Sequence, residues 1–160
     1  MKKAFTMIEL IFVIVILGIL SSVAISKMAV TRDDAIIAKG RSQIAAIRNT
    51  ISLTRNTNML LGKGATYPSR LDALGGATSS DGDNLFDHDT NATNPKAQLL
   101  DYPIYSKSKN GWRKTAATKY TFNATGTDVD FTYTASSGNF DCNHADANAA
   151  KKKLCRSLTE

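Results

Sequence analysis

The sequence predicts an α+β chain: one long N-terminal helix, apolar in its first half and amphipathic in its second, packed on a small antiparallel sheet. Three observations carry this. From Phe5 to Ile25 only Thr6, Glu9, Gly18, Ser21 and Ser22 are not plainly apolar. Ile37, Ile44 and Ile51 then recur at a constant interval with Ile47 on the same side, which lays one apolar stripe along a helix. Further on, "KYTFNA" and "DVDFTYTA" alternate aromatic or β-branched residues with polar ones on either side of "TGT", the pattern of an antiparallel hairpin.

A chain of 160 residues holds one domain and an appendage rather than two full domains. As a helix, the run from Phe5 to Ile25 is ~31 Å long, enough to cross a hydrocarbon core of ~30 Å. We assign residues 5–26 to this span, 27–57 to the amphipathic half and 58–160 to a head. No proline falls between Met1 and Tyr67, so one helix is expected from about Phe5 to about Asn56, close to ~80 Å long at ~1.5 Å per residue. Arg41, Arg48 and Arg55 repeat at the isoleucine interval and run along the edge of the stripe.

The head begins with "GKGATYPSRLDALGG", a turn, a short helical piece around Leu71–Leu74 and a glycine stop. "ATSSDGDNLFDHDTNATNP" is polar, acidic and punctuated, hence a surface loop. "GNFDCN" adds a third strand that carries Cys142 to a sheet edge.

Charge sets the expected topology. Lys2 and Lys3 precede the span without an accompanying acid, which puts the N-terminus in the cytoplasm and the head outside, in the periplasm or beyond. Lys27 and Arg32 follow closely and weaken that bias. In an oxidising compartment Cys142 and Cys155 either form a disulfide or stand as two thiols. A bridge would close a short loop, for about 3 kcal/mol on the chain-entropy model. The net charge of +6 permits acidic partners such as DNA or lipid headgroups without requiring them.

One acid stands out. Glu9 sits inside a stretch built for lipid, where a carboxylate is costly unless it is paired. The run "KKAFTMIELIFVIVILGIL" resembles the leader and first half-helix of type IV pilins and type II secretion pseudopilins. In that family a short basic leader is removed by a prepilin peptidase, the new N-terminal residue is N-methylated, and a glutamate stands fifth in the mature chain. The resemblance therefore implies a leader of residues 1–4, cleavage between Ala4 and Phe5, methylation of Phe5, and Glu9 as the assembly residue. It also implies a type IV pilin-like fold and self-assembly into a helical fibre by way of inner-membrane machinery, after a stage of single-pass anchoring in lipid. Gly18 falls where the family often has glycine. Ala4 stands where the family prefers glycine, and Ser26 where many members have proline. "TYPSRLDAL" is similar to major pseudopilins after the stalk, whereas a C-terminal cysteine pair is a feature of many pilins. In a fibre, the Glu9 carboxylate would meet the cationic N-terminus of a neighbouring subunit; alone, it suits the positive end of its own helix.

The rival reading is an ordinary secretory signal peptide cut near Ala24, leaving a soluble periplasmic protein. Catalysis has little support. His88 and His144 lie in polar loops without a nucleophile at recognisable spacing, no glycine-rich phosphate loop occurs, and no cofactor is implied. Three weaker candidates remain. Asp81, Asp83, Asp87 and Asp89 could supply oxygen ligands to Ca²⁺, against the simpler reading of an acidic solvated loop. Asn91, in Asn91-Ala92-Thr93, fits a glycosylation acceptor, as does Asn123-Ala124-Thr125. Lys107, Lys109, Arg113 and Lys114 around Trp112, with Lys151, Lys152, Lys153 and Arg156, could contact a DNA backbone.

Overall fold

The computed structural model describes residues 5–76, 78–87, 99–100 and 102–160, and for residues 26–30 the backbone alone. The class is the α+β expected. Helix α1 covers Met7–Leu60, a few residues beyond the predicted end. The chain divides into two compact units, Met1–Ala35 and Ile36–Glu160.

In the first unit the segment Met7–Ile25 is long and apolar enough to cross a membrane, and none of it is buried within the chain. Phe5, Ile8 and Phe12 are 85%, 76% and 67% exposed. Such a surface in water is far larger than the apolar patches soluble monomers tolerate. It requires lipid or other protein around it.

The second unit is built on the isoleucine stripe. Ile44, Ile47 and Ile51 are buried in one core with Leu71, Trp112, Tyr120, Phe122, Phe131 and Phe140. The sheet consists of β3 (Trp112–Ala116), β4 (Lys119–Ala124), β5 (Thr127–Thr134) and β6 (Asn139–Cys142), antiparallel and in that order. Two residues each from β1 (Asn84–Leu85) and β2 (Ile104–Tyr105) form a separate ladder. The predicted hairpin is β4–β5, with Ala124 opposite Thr127. Thr125 and Gly126 between them have φ of 53° and 79°, the two positive values of a type I′ turn. Along β5, Val129, Phe131 and Tyr133 face the core while Asp130, Thr132 and Thr134 are exposed, the period of two that half-buried strands require.

The structure departs from expectation at three places. The segment "ATSSDGDNLFDHDTNATNP" is not all surface loop: Asn84–Leu85 forms β1, and Leu85 and Phe86 are buried in the core, the two large apolar residues of that stretch turning inward. Leu71–Leu74 forms turns rather than a helical piece. There the Asp72 carboxylate accepts from the Leu74 amide at 2.9 Å, a local bond that competes with helix formation. The chain also ends in an unpredicted helix, α2 (Ala149–Thr159), capped by Asn148, whose side chain accepts from the amides of Ala150 and Lys151. Its buried residues are Leu154, Cys155 and Leu158.

Gly40 explains how α1 meets this sheet. A Cβ there would lie 2.6 Å from Phe122 Cζ and 2.8 Å from Leu158 Cδ2. Glycine in a helix interior costs about 1 kcal/mol relative to alanine, so its presence here serves close approach. Gly40→Ala is therefore expected to destabilise the chain by about 1–3 kcal/mol despite the gain in helix propensity. Urea unfolding of the full chain in detergent measures this, and an unchanged or raised midpoint would sink the close-approach argument.

Candidate functional site

The N-terminal start of α1 is built by two side chains. The amide and hydroxyl of Thr6 donate to Glu9 Oε2 at 2.9 and 2.8 Å, and the Glu9 amide reaches back to Thr6 Oγ1 at 3.4 Å. This is a capping box, in which each residue satisfies a donor of the other at the helix start. The signal for Thr6 in the sequence is the T-x-x-E spacing to Glu9. Glu9 thus has an intrasubunit partner, and its Oε1 lies outside this network. Both residues follow the predicted cut, so the cap is retained whether or not the leader is removed. Phe5 is exposed at the end of the chain described; Ala4, Lys2 and Lys3 lie outside the described residues.

The arginines at the edge of the stripe tie α1 to the rest of its unit. Arg41 Nε and Nη2 donate to the Ser157 carbonyl at 3.0 and 2.5 Å, at the C-terminal end of α2. There the free carbonyls favour a cation. Arg48 donates to the Phe140 carbonyl at 3.0 Å and pairs with Asp141 at 2.9 Å. Arg55 lies over the Tyr67 ring, 5.4 Å from its centre.

Cys142 on β6 and Cys155 on α2 form a disulfide with Cα atoms 6.0 Å apart. Strand β6 is a sheet edge, as expected. His144 approaches this bridge and bonds Asp141 Oδ1 at 3.2 Å. Its ring and the two sulfurs are the one cluster of ligand-type atoms among the described residues, and the sulfurs are committed to each other.

The acidic loop spends its oxygens on the chain itself. Asp81 accepts from the Ser108 hydroxyl at 2.6 Å, Asp83 from the Ser80 amide at 2.7 Å, and Asp87 from the Ala73 amide at 3.1 Å. These three carboxylates do not converge as a ligand group. Asp89, His88 and Asn91 lie outside the described residues. At the second acceptor pattern, Asn123 sits in β4 with its amide donating to Asp128 at 2.6 Å and its carbonyl accepting from Asn110.

The basic cluster around Trp112 does not assemble, which corrects the sequence reading. Trp112 is 1% exposed and its indole donates to Gln43 at 3.1 Å, so it offers no face for a base. Arg113 pairs with Asp128. Lys114 is fully buried against Asp72 at 2.5 Å and donates to the Gly75 carbonyl, also at 2.5 Å. Lys107 and Lys109 remain exposed, while Lys151 reaches Asp130 at 3.6 Å. The Tyr120 hydroxyl donates to the other oxygen of Asp72. Burial, and then the nearby Asp72 charge, push the Tyr120 phenol well above its ordinary pKa, so it stays a donor.

Comparison with known proteins bears on the first of these sites. Residues 1–25 match the family model described as the prokaryotic N-terminal methylation motif, the prepilin signature of type IV pilins and pseudopilins. No curated protein and no solved structure matches the chain.

Proposed function

We propose that the chain is a structural subunit of a type IV pilus or a type II secretion pseudopilus, cut by a prepilin peptidase between Ala4 and Phe5 and polymerised through the apolar half of α1. The observation that carries the reading is the methylation motif over residues 1–25, lying on a helical segment whose apolar surface the chain does not cover. A signal peptide cut near Ala24 would discard that segment and leave Glu9 without purpose.

In the resting subunit, lipid covers Met7–Ile25 and the capping box holds Glu9 at the positive end of its own helix. In the fibre, the half-helices of other copies replace the lipid. The Glu9 carboxylate, with Oε1 turned to a neighbour, takes the cationic amine of that neighbour's Phe5. A buried charge so paired is tolerated, and the pairing fixes how far the incoming subunit advances. The head faces the periplasm or the cell surface with its disulfide closed, and the protein acts as a structural element rather than an enzyme.

N-terminal sequencing and intact mass of protein from the membrane and the sheared fibre fraction test this. The expected chain begins at N-methylated Phe5; a start at Ile25 would replace the proposal with the secreted soluble protein. Glu9→Gln should leave cleavage intact and lower recovery in fibres at least about tenfold. Unchanged fibre recovery would remove Glu9 from the assembly step.

A further inference from the structure

Lys114 is a buried nucleophile that nothing above uses. Its ammonium nitrogen and the Asp72 carboxylate are 2.5 Å apart with both side chains wholly inaccessible to water. The pair joins β3 to the loop before β1, and the two residues are 42 positions apart. Around it stand Tyr120, whose ring centre is 6.0 Å from the Lys114 nitrogen, and Phe86, 4.7 Å from the Tyr120 ring. Burying two charges in such a place carries a desolvation penalty that can exceed their attraction. A neutral product would remove it.

We propose that Lys114 Nζ and Asp72 Cγ are joined in the mature protein by an amide bond, an intramolecular cross-link formed without any added reagent. The pair holds every atom required. A proton passes from the Lys114 ammonium to Asp72 Oδ1 across their hydrogen bond, leaving a free amine and a carboxylic acid. The amine attacks Cγ, and the Nζ–Cγ bond forms as negative charge moves to Oδ2. The Tyr120 hydroxyl already donates to that oxygen and so stabilises the developing charge. The Cγ–Oδ1 bond then breaks. Oδ1 departs as water, carrying the transferred proton and a second one from Nζ, and the Leu74 amide that donates to it at 2.9 Å favours its departure. One N–H remains on Nζ, and the Gly75 carbonyl, 2.5 Å away, accepts it. Oδ2 becomes the amide oxygen and keeps the Tyr120 hydroxyl. No electrons are gained or lost. Exclusion of water from the site opposes the reverse reaction.

The bond would tie the loop carrying Asp72 to β3, a strand at one edge of the sheet, and it does not depend on which fibre, if any, the chain enters. Its test is the intact mass of the full chain, purified in detergent, reduced and denatured. The expected mass is lower than that of the same N-terminally processed sequence by one water. Tryptic digestion should yield one branched product containing both Asp72 and Lys114. Lys114→Met should restore the full mass, and Asp72→Asn should reach the wild-type product by losing ammonia instead of water. A wild-type chain at full mass, with the Asp72 and Lys114 peptides separate, overturns the proposal. So does a deficit that survives Lys114→Met.

Discussion

Asp72→Ala is expected to cost the folded head about 3–5 kcal/mol, the range for removing one partner of a buried pair. The carboxylate takes three donors: Lys114 Nζ, the Tyr120 hydroxyl and the amide of Leu74 share its two oxygens, while Leu71 just before it is held in the core. Removing it leaves an ammonium whose other acceptor among the hydrogen bonds of the described residues is the Gly75 carbonyl, and a phenol that has lost its Asp72 acceptor, both inside an aromatic nest. An unpaired buried cation is worse than no cation. Hence Asp72→Leu combined with Lys114→Met should recover the part of the loss that comes from the uncompensated ammonium, because it removes both charges and fills the space with apolar atoms, while any stabilisation from the cross-link proposed above is lost in both variants. Urea titrations of the full chain in detergent, followed by Trp112 fluorescence, give both numbers. A single substitution that costs less than about 1 kcal/mol would mean the pair is not held as described.

Lys114 also marks where the sequence could not be read. By spacing it belongs with Lys107, Lys109 and Arg113 to one basic cluster around Trp112. On a strand, adjacent residues face opposite sides, so Trp112 and Lys114 turn into the core while Arg113 turns out. The partner that makes a buried lysine tolerable is in a distant loop, and nothing local announces it. The α1 stripe was legible because Ile44, Ile47 and Ile51 obey a helical period over several turns. The β4–β5 hairpin was legible from alternation and from Gly126 in the turn. Helix α2 was missed for the opposite reason. Lys151, Lys152 and Lys153 read as a solvated run, and only Leu154, Cys155 and Leu158 form its buried face, too few to show a period.

The N-terminal site divides in the same way. Glu9 was visible because an acid among apolar residues has no composition-level excuse. Its partner Thr6 was visible too, as the first residue of a capping box, yet it draws no attention in a run read for membrane crossing. The arginines were placed correctly along the edge of the stripe. What each holds, the end of α2, the edge strand β6 and the Tyr67 ring, depends on tertiary contacts that sequence spacing does not encode.

Opening the Cys142–Cys155 bridge is the second large effect. The disulfide joins the edge strand β6 to α2 across a sequence separation of 13 residues, and a loop of that size is worth about 3 kcal/mol in lost unfolded-state entropy. Other ties hold the same helix: Arg41 on the Ser157 carbonyl, Leu158 against the Gly40 face of α1, and Leu154 in the core. Cys142→Ser with Cys155→Ser should therefore leave the sheet and α1 folded while α2 opens more often. A loss of about 3 kcal/mol corresponds to roughly a hundredfold faster amide exchange from Leu154 to Leu158 if that helix opens as its own unit. Strand β5, hydrogen-bonded on both sides by β4 and β6, should keep most of its protection. Exchange that accelerates equally in β5 and α2 would mean the head unfolds as one body, and exchange unchanged in α2 would mean Arg41 and Leu158 hold it without the bridge.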